Sequence, residues 1–348
     1  MTQVSTNESR FEACSWLYEL PVFRVYVELE NCVQDDATTA RLLQVVGSQL
    51  RHQIWRSQCA AVRDGRACAD RSVGDPLCEC APNHCLAHQL LPLSAETKKG
   101  GAAWLSPSML VQPIQGRDGH PMLRVTIVGE FITSRQGAPG REAALLELVN
   151  VLTRLHYGPK LRDAQTTTFG RMAAQFRANR WRLMLLTPWI VQKSTMPTVS
   201  LAMRANGFRL SMAERVYKLT ALALWSVRRT GSAAADGPDA HRLALGAKRC
   251  AVATLASVRL NDAEMFTEVV TAETRRKTAT DKPREWHALS GWFELVAESD
   301  ALNDAGVLIA LATVDLIGIG EATSKGYGAV RVVPAPEPSF PLRVPNRL

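Results

Sequence analysis

The stretch "LPVFRVYVELENC", residues 20–32, constrains the fold most. Phe23, Val25, Val27 and Leu29 point one way; Arg24, Tyr26 and Glu28 point the other. Period two defines a strand with one apolar face for a core and one polar, cation-bearing face. The period then changes. Leu42, Val45, Val46, Leu50 and Ile54 form a helical stripe, with Asp35 or Asp36 as its cap. The polar side of that helix carries Arg41, Gln44, Ser48 and His52 close to one line.

Residues 57–105 are irregular and hold five of the eight cysteines. "SMLVQPI", the turn "QGRDG" and "HPMLRVTIVGEF" then read as strand, hairpin turn and strand. "REAALLELVNVLTRLHYG" is an amphipathic helix ending at Gly158, and "AQTTTFGRM" holds a last strand. The order β-α-β-β-α-β is that of a ferredoxin-like unit with a long insertion after its first helix.

The second half repeats the plan. "RWRLMLLTPWIV" is strand-like, and "SLAMRANGFRLSMAERVYKLTALALWSVRR" is largely helical with a break at Asn206-Gly207. A small-residue loop, "TGSAAADGPDA", follows. "CAVATLASVRL", or part of it, and "GWFELVAE" are strand candidates around the basic stretch "ETRRKTATDKPREWH". "DAGVLIALATVDLIGIG" fits a buried strand or a buried helix, and "AVRVV" fits a last strand. The expected class is α+β, with two tandem ferredoxin-like (RRM-like) βαββαβ domains. The first spans 1–175 with its Cys-rich insertion at 57–105. The second spans 176–348, with a basic helical segment at 198–230 and a glycine-rich loop at 318–328.

Charge narrows the partner. The chain of 348 residues has a net charge of +8. Over 171–284, Lys and Arg outnumber Asp and Glu by 20 to 8, so the remainder is net negative. A one-sided basic block suits a polyanion, most often nucleic acid. No apolar run approaches the roughly 18 residues that span a bilayer. The N-terminus has no basic n-region and no apolar h-region, so a cytoplasmic, membrane-free protein is expected. The cysteines then read as thiols or metal ligands, not a disulfide framework.

"GIGEATSKGYGAVRVV" tests that idea. Its spacing is Gly318-x-Gly320-x5-Gly326-x-Gly328. A dinucleotide fingerprint requires G-x-G-x-x-G before a helix, and a P-loop requires Gly-Lys-Ser/Thr opening a helix. Both fail here. Two readings remain: a flexible turn into a final strand, or a backbone-amide cradle on a sugar-phosphate strand, helped by Lys325.

"GEATSKGYGAVRV" resembles the C-terminal glycine-rich signature of the RAMP superfamily of CRISPR-associated RNA-binding proteins. "SMLVQPIQGRDGHPMLRVTIVGEF", "LLELVNVLTRLHYGPK", "LMLLTPWIV" and "CECAPNHCLAHQLL" narrow the resemblance to its repeat-RNA endoribonucleases, over residues 20–333. The "GxG" that ends the family's helix keeps only Gly158 here. The resemblance implies two ferredoxin-like domains and a hairpin-forming CRISPR repeat RNA as substrate. It implies metal-free cleavage, with the ribose 2′-hydroxyl attacking its own 3′-phosphate. It also implies retention of the crRNA product and entry into an effector complex with other subunits, in a prokaryotic cytoplasm. The long basic helix and the missing usual histidine suggest a divergent branch, that of type IV systems.

Such a reaction requires a base for the 2′-hydroxyl, an acid for the leaving 5′-oxygen, and cations for the phosphorane. Family members take a histidine from just after the first strand or from the first helix. Residues 31–51 contain none, and His52 is the nearest. Arg24 and Arg41 are candidates to hold the phosphate in line, since arginine stays protonated and binds bidentately. His241-Arg242, after the small-residue loop, forms a second candidate pair, either borne on that loop over the substrate or beginning the next element. His120 and His287 are further histidines beside the hairpin turn and the basic stretch.

Binding residues are more numerous. Arg204, Arg209, Arg215, Lys218, Arg228 and Arg229 stud the long helix, which suits an RNA stem read by shape and charge. Arg275, Arg276, Lys277, Lys282 and Arg284, with Trp286, suit a strand or hairpin base. Gly320, Lys325, Gly326 and Gly328 complete the expected contact set. Cys78-x-Cys80-x4-Cys85-x2-His88 offers zinc-ligand types at a spacing unlike common zinc motifs; free thiols are the expected reading. No cofactor is expected. The competing function is a crRNA-binding subunit with the same folds and no working catalytic site.

Overall fold

The computed structural model describes residues 15–31, 53, 109–115, 121–129, 137–191, 207–229, 237–272, 284–297, 305–320 and 327–335. The Cys-rich insertion, the helix expected around 35–55 (apart from Gln53), His120, Arg204, residues 273–283, Lys325 and Gly326 lie outside the described residues.

A short helix α1 (Ser15–Tyr18) leads into β1 (Pro21–Leu29). β2 (Met109–Gln115), β3 (Pro121–Val128), α2 (Gly137–Arg154) and β4 (Pro159–Thr168) follow. The four strands form one sheet in the order β2-β3-β1-β4, and every pair is antiparallel. The two central strands therefore come from the first and third positions of the unit, as the ferredoxin-like order requires. α2 stops at Arg154, and the chain turns at Gly158 (φ +58) into a strand that begins at Pro159. The last strand thus starts before the stretch expected to hold it.

After α3 (Phe169–Ala174), the second half has β5 (Arg180–Leu185), α4 (Gly207–Arg229), α5 (Gly237–Leu255) and β6 (Val258–Ala272). β7 (Arg284–Ala297), α6 (Ala305–Ile317) and β8 (Val330–Pro334) complete it. Its sheet order, β6-β7-β5-β8, repeats that of the first sheet. The chain is an α+β protein of two ferredoxin-like units in tandem.

Two local readings change. α5 begins within the expected loop and takes up the first half of "CAVATLASVRL", so His241-Arg242 lies in an element and not on a loop, and only the end of that stretch is strand. Pro238 sits in the first turn of α5, where a missing N–H costs nothing. Strand structure begins only at Val258. α6 resolves the helix-or-strand ambiguity: Gly306 through Ile317 are all buried, which is how a helix apolar on every side survives. Gly306 lets α6 approach α5 closely, since a Cβ there would stand 2.6 Å from the Thr254 hydroxyl.

One core runs through both halves. Leu17, Val22, Leu110 and Phe169 from the first join Trp181, Phe293, Leu311 and Ile317 from the second. Each such side chain contributes about 1.5–3 kcal/mol on burial. The Trp181 indole N–H donates to the Phe176 carbonyl at 2.6 Å, so its polar end is satisfied inside that core.

Candidate nucleic-acid interface

The glycine-rich loop is positioned by its own ends. Gly318 (φ +78) stops α6, its N–H donating to the Val314 carbonyl at 2.9 Å. Ile319 N–H donates to the Gly328 carbonyl at 2.7 Å, and Gly328 N–H to the Pro188 carbonyl at 2.8 Å. The Ala329 N–H is taken by the Thr187 hydroxyl at 2.8 Å. Gly320 (φ +76) lies so close to the Trp189 ring that a Cβ would stand 2.2 Å from it. A Cβ on Gly328 (φ +64) would stand 1.9 Å from the Ile319 carbonyl oxygen. These two glycines close the loop; the Gly328 N–H is spent on the protein.

The closed base sits beside the root of a projecting hairpin. β6 and β7 have 15 and 14 residues, against six in β5, so their far ends run past the sheet. The only β5-side support there is the Trp189–Leu289 bridge, among the described residues. Trp286 on β7 meets Tyr327 of the loop base edge-on, with ring centroids 5.8 Å apart, over Ile190 and Ala288. The structure therefore brings the glycine loop and the arms of the basic hairpin to one end of the second sheet. Arg284 opens β7 at that end, while Arg275, Arg276, Lys277 and Lys282 lie outside the described residues. His287 is half-buried on β7, and its Nδ1 has no hydrogen-bond partner among the described residues.

The outer face of the second sheet carries a patch that sequence reasoning missed. The Arg182 guanidinium lies 4.1 Å over the Trp292 ring, and Met184 beside it is 38% exposed. Arg331 of β8 pairs with Met184 and is exposed. Arg180 and Asn261 both donate to Glu294. Burial pushes the Glu294 carboxyl up; those hydrogen bonds and the charges of Arg180 and Arg182 outweigh it and hold the group low. The signal was available: Arg180, Arg182 and Met184 alternate with Trp181, Leu183 and Leu185.

Among the described residues, the expected catalytic candidates Arg24, His241 and Arg242 lie on different elements, β1 and α5. Arg24 is turned to the seam between the two units. Its Nη2 donates to Asp315 Oδ2 of α6 at 2.7 Å. Arg124 of β3 donates to the Asp315 and Val330 carbonyls at 2.7 and 3.0 Å, and to Gln112 at 2.9 Å. Its Nη1 lies 3.6 Å from Asp315 Oδ2, and the Val332 N–H donates to Oδ1 at 3.1 Å. Burial pushes the Asp315 carboxyl up, but Arg124 and Arg24 beside it hold it below the ordinary value. Arg41 and His52 lie outside the described residues; His241 is in α5, and Arg242 is exposed there.

The long helix is less of an open surface than expected. Arg215 is 1% exposed, and its guanidinium donates to the Ile317 carbonyl at 2.8 Å, capping the C-terminus of α6. Burial lowers its pKa to about 10, against the raising effect of Glu214. It is a correction to the expected contact set: this side chain cannot reach an RNA stem in this fold. Arg209 is partly buried, lies over Phe208, and donates to the Val258 carbonyl. Lys218 is half-buried, and Arg228 and Arg229 end α4. Among the described residues, no group of three or more His, Cys, Asp or Glu could hold a metal ion. No described helix is long and apolar enough to cross a membrane.

Fold and site together define a two-unit ferredoxin-like protein with a clasped glycine loop and a projecting basic hairpin at one end. No protein-family model matches the chain, and no curated protein matches it. Solved structures do. A Cas6 product complex is similar at 11% identity and a TM-score of 0.46, over 90% of this chain and 100% of that one. Thermus thermophilus Cas6 is similar at 11% identity and 0.42, over 90% and 98%. The product of a Cas6-related gene from Pyrococcus furiosus is similar at 10% identity and 0.34, over 90% and 98%. Strand order, not these scores, defines the fold.

Proposed function

We propose that the chain is an endoribonuclease that cuts CRISPR repeat hairpins in precursor crRNA and keeps the product for an effector complex. The observation that carries this reading is the Trp286–Tyr327 contact, which seats the glycine loop against the root of the basic hairpin. A helical RNA stem is read by shape, phosphates and 2′-hydroxyls, which suits cations on a projecting hairpin beside a small-residue loop. The reaction is attack of the 2′-oxygen on the adjacent phosphorus, with the 2′-hydroxyl proton taken by a base. The bond to the 5′-oxygen breaks, that oxygen receives a proton, and the ends are a 2′,3′-cyclic phosphate and a 5′-hydroxyl. No step requires a metal. Arg41, His52, His241 and Arg242 are the candidates for the scissile phosphate. Arg24 acts at the seam, as a positioning residue.

The expected result is hairpin cleavage in EDTA, abolished by a single 2′-deoxy substitution at the cut site. The commitment of Arg24 to Asp315 favours one competing reading, a crRNA-binding subunit that does not cut. Tight hairpin binding with intact RNA under the same conditions would establish that reading instead.

A further inference from the structure

Arg124 is the one charged residue of β3, which reads "PMLRVTIV" and is buried from Leu123 to Val128. The side chain is 5% exposed. A cation so placed requires partners for its charge and for its five N–H groups. Its own sheet supplies one, as Nε donates to the Gln112 amide oxygen of β2 at 2.9 Å. Its other partners among the described residues come from the second unit.

A single nitrogen, Arg124 Nη2, donates to the Asp315 carbonyl at 2.7 Å and to the Val330 carbonyl at 3.0 Å. Asp315 lies in the last turn of α6, just before Gly318, where helix carbonyls lack intrahelical donors. Val330 opens β8, just after Gly328. These carbonyls belong to the two stems of the glycine loop, one on each side of it. The Asp315 carboxylate ties the same stems again: Oδ1 accepts the Val332 N–H at 3.1 Å, and Oδ2 faces Arg124 Nη1 at 3.6 Å.

We propose that Arg124 is a positioning residue for the glycine loop: through this side chain the first unit sets the spacing of the loop's stems, and with it the loop's grip on RNA. The grip on RNA rests on the function proposed above; the hold on the stems does not. Arg124 is too deeply buried to meet a phosphate itself. Its planar fork is the feature in use, because a lysine keeps the charge near Asp315 but cannot place donors on Gln112 and both carbonyls at once. Arg24 provides a comparison within the same seam. Its bonds end on Asp315, at Oδ2 and the carbonyl, and so reach one stem.

The test is hydrogen exchange of the full chain without RNA, read at the Ile319, Gly328, Ala329 and Val332 amides, each of which is bonded in the folded protein. Arg124→Met is expected to speed exchange there about tenfold while β6 and β7 keep parental protection, which shows that the variant is folded. Arg124→Lys, the milder change, is expected to speed the same amides. Arg24→Met is expected to leave Gly328 and Ala329 at the parental rate. Parental exchange in both Arg124 variants would overturn the proposal. Equal acceleration by Arg24→Met would do the same, because the seam charge and not the fork would then hold the loop.

Affinity for the repeat hairpin across a salt series reads the RNA half. Arg124→Lys is expected to weaken binding about tenfold at an unchanged salt slope, since no phosphate contact is lost. A lowered slope, or parental affinity beside fast exchange, would refute the positioning role. A parent protein that binds no hairpin would remove the proposed function and the RNA half with it, and the exchange result would still decide the hold on the stems.

Discussion

Asp315, in the last turn of α6, accepts a 2.7 Å hydrogen bond from Arg24 of β1, across 291 residues of sequence. With Arg124 against the same carboxylate, one buried acid ties the polar face of the first sheet to the second unit. Removing one partner of a buried pair leaves uncompensated charge, at a cost of about 3–5 kcal/mol. Asp315→Ala strands two arginines and is expected to lose stability in that range in urea unfolding. A loss below about 1 kcal/mol, the range of an exposed pair, would mean the seam does not hold the units together.

The same carboxylate sets a pH dependence. Its folded pKa is depressed, so its contribution is present above the unfolded value of about 3.9 and is lost as pH falls through the lower folded value. The urea midpoint of the parent is expected to drop as pH falls below about 4. In Asp315→Asn, which has no proton to take up there, the slope over that window is shallower. Equal slopes would remove Asp315 as a cause.

Glycines separate by their surroundings. Gly328 has φ +64 and no room for a Cβ beside the Ile319 carbonyl, so Gly328→Ala is expected to cost about 1–3 kcal/mol and to weaken hairpin-RNA binding. Gly246 sits inside α5 with nothing within 4 Å of a Cβ. Gly246→Ala is therefore expected to stabilise by about 0.5–1 kcal/mol. Thermal unfolding of the pair reads both; equal effects would contradict the clasp.

The sheet-face patch is tested by RNA affinity. If bases stack on Trp292, Trp292→Ala is expected to cost about 1–3 kcal/mol in binding a single-stranded repeat segment. Arg331→Ala is expected to lower the salt slope by about 1 if that cation meets a phosphate. Filter-binding at several salt concentrations measures both. Unchanged affinity in Trp292→Ala would make the patch a structural feature alone.

Arg215 was misread for one physical reason: a cation's role depends on what covers it. Arg215 lies on the line Phe208, Met212, Leu219, Leu222, and every other member of that line is buried. That spacing marks an inward-facing arginine, and it was legible. The partner was not, because the Ile317 carbonyl is 102 residues away. Asp315 gave a comparable signal, a single charge inside "GVLIALATVDLIGIG", which calls for a buried cation without naming it.

The sequence by itself determined the element order and the strand faces, since periods of two and 3.6 follow from local backbone geometry. β1, the β2–β3 hairpin, α2, and the repeat of the plan in the second half were all legible this way. Tertiary structure decided the rest: that the apolar stretch at 305–317 is a helix, that Arg24 and Arg124 share Asp315, and that Gly320 and Gly328 close a loop against Trp189 and Ile319. Each of these depends on a surface brought in from elsewhere in the fold, which no local pattern encodes.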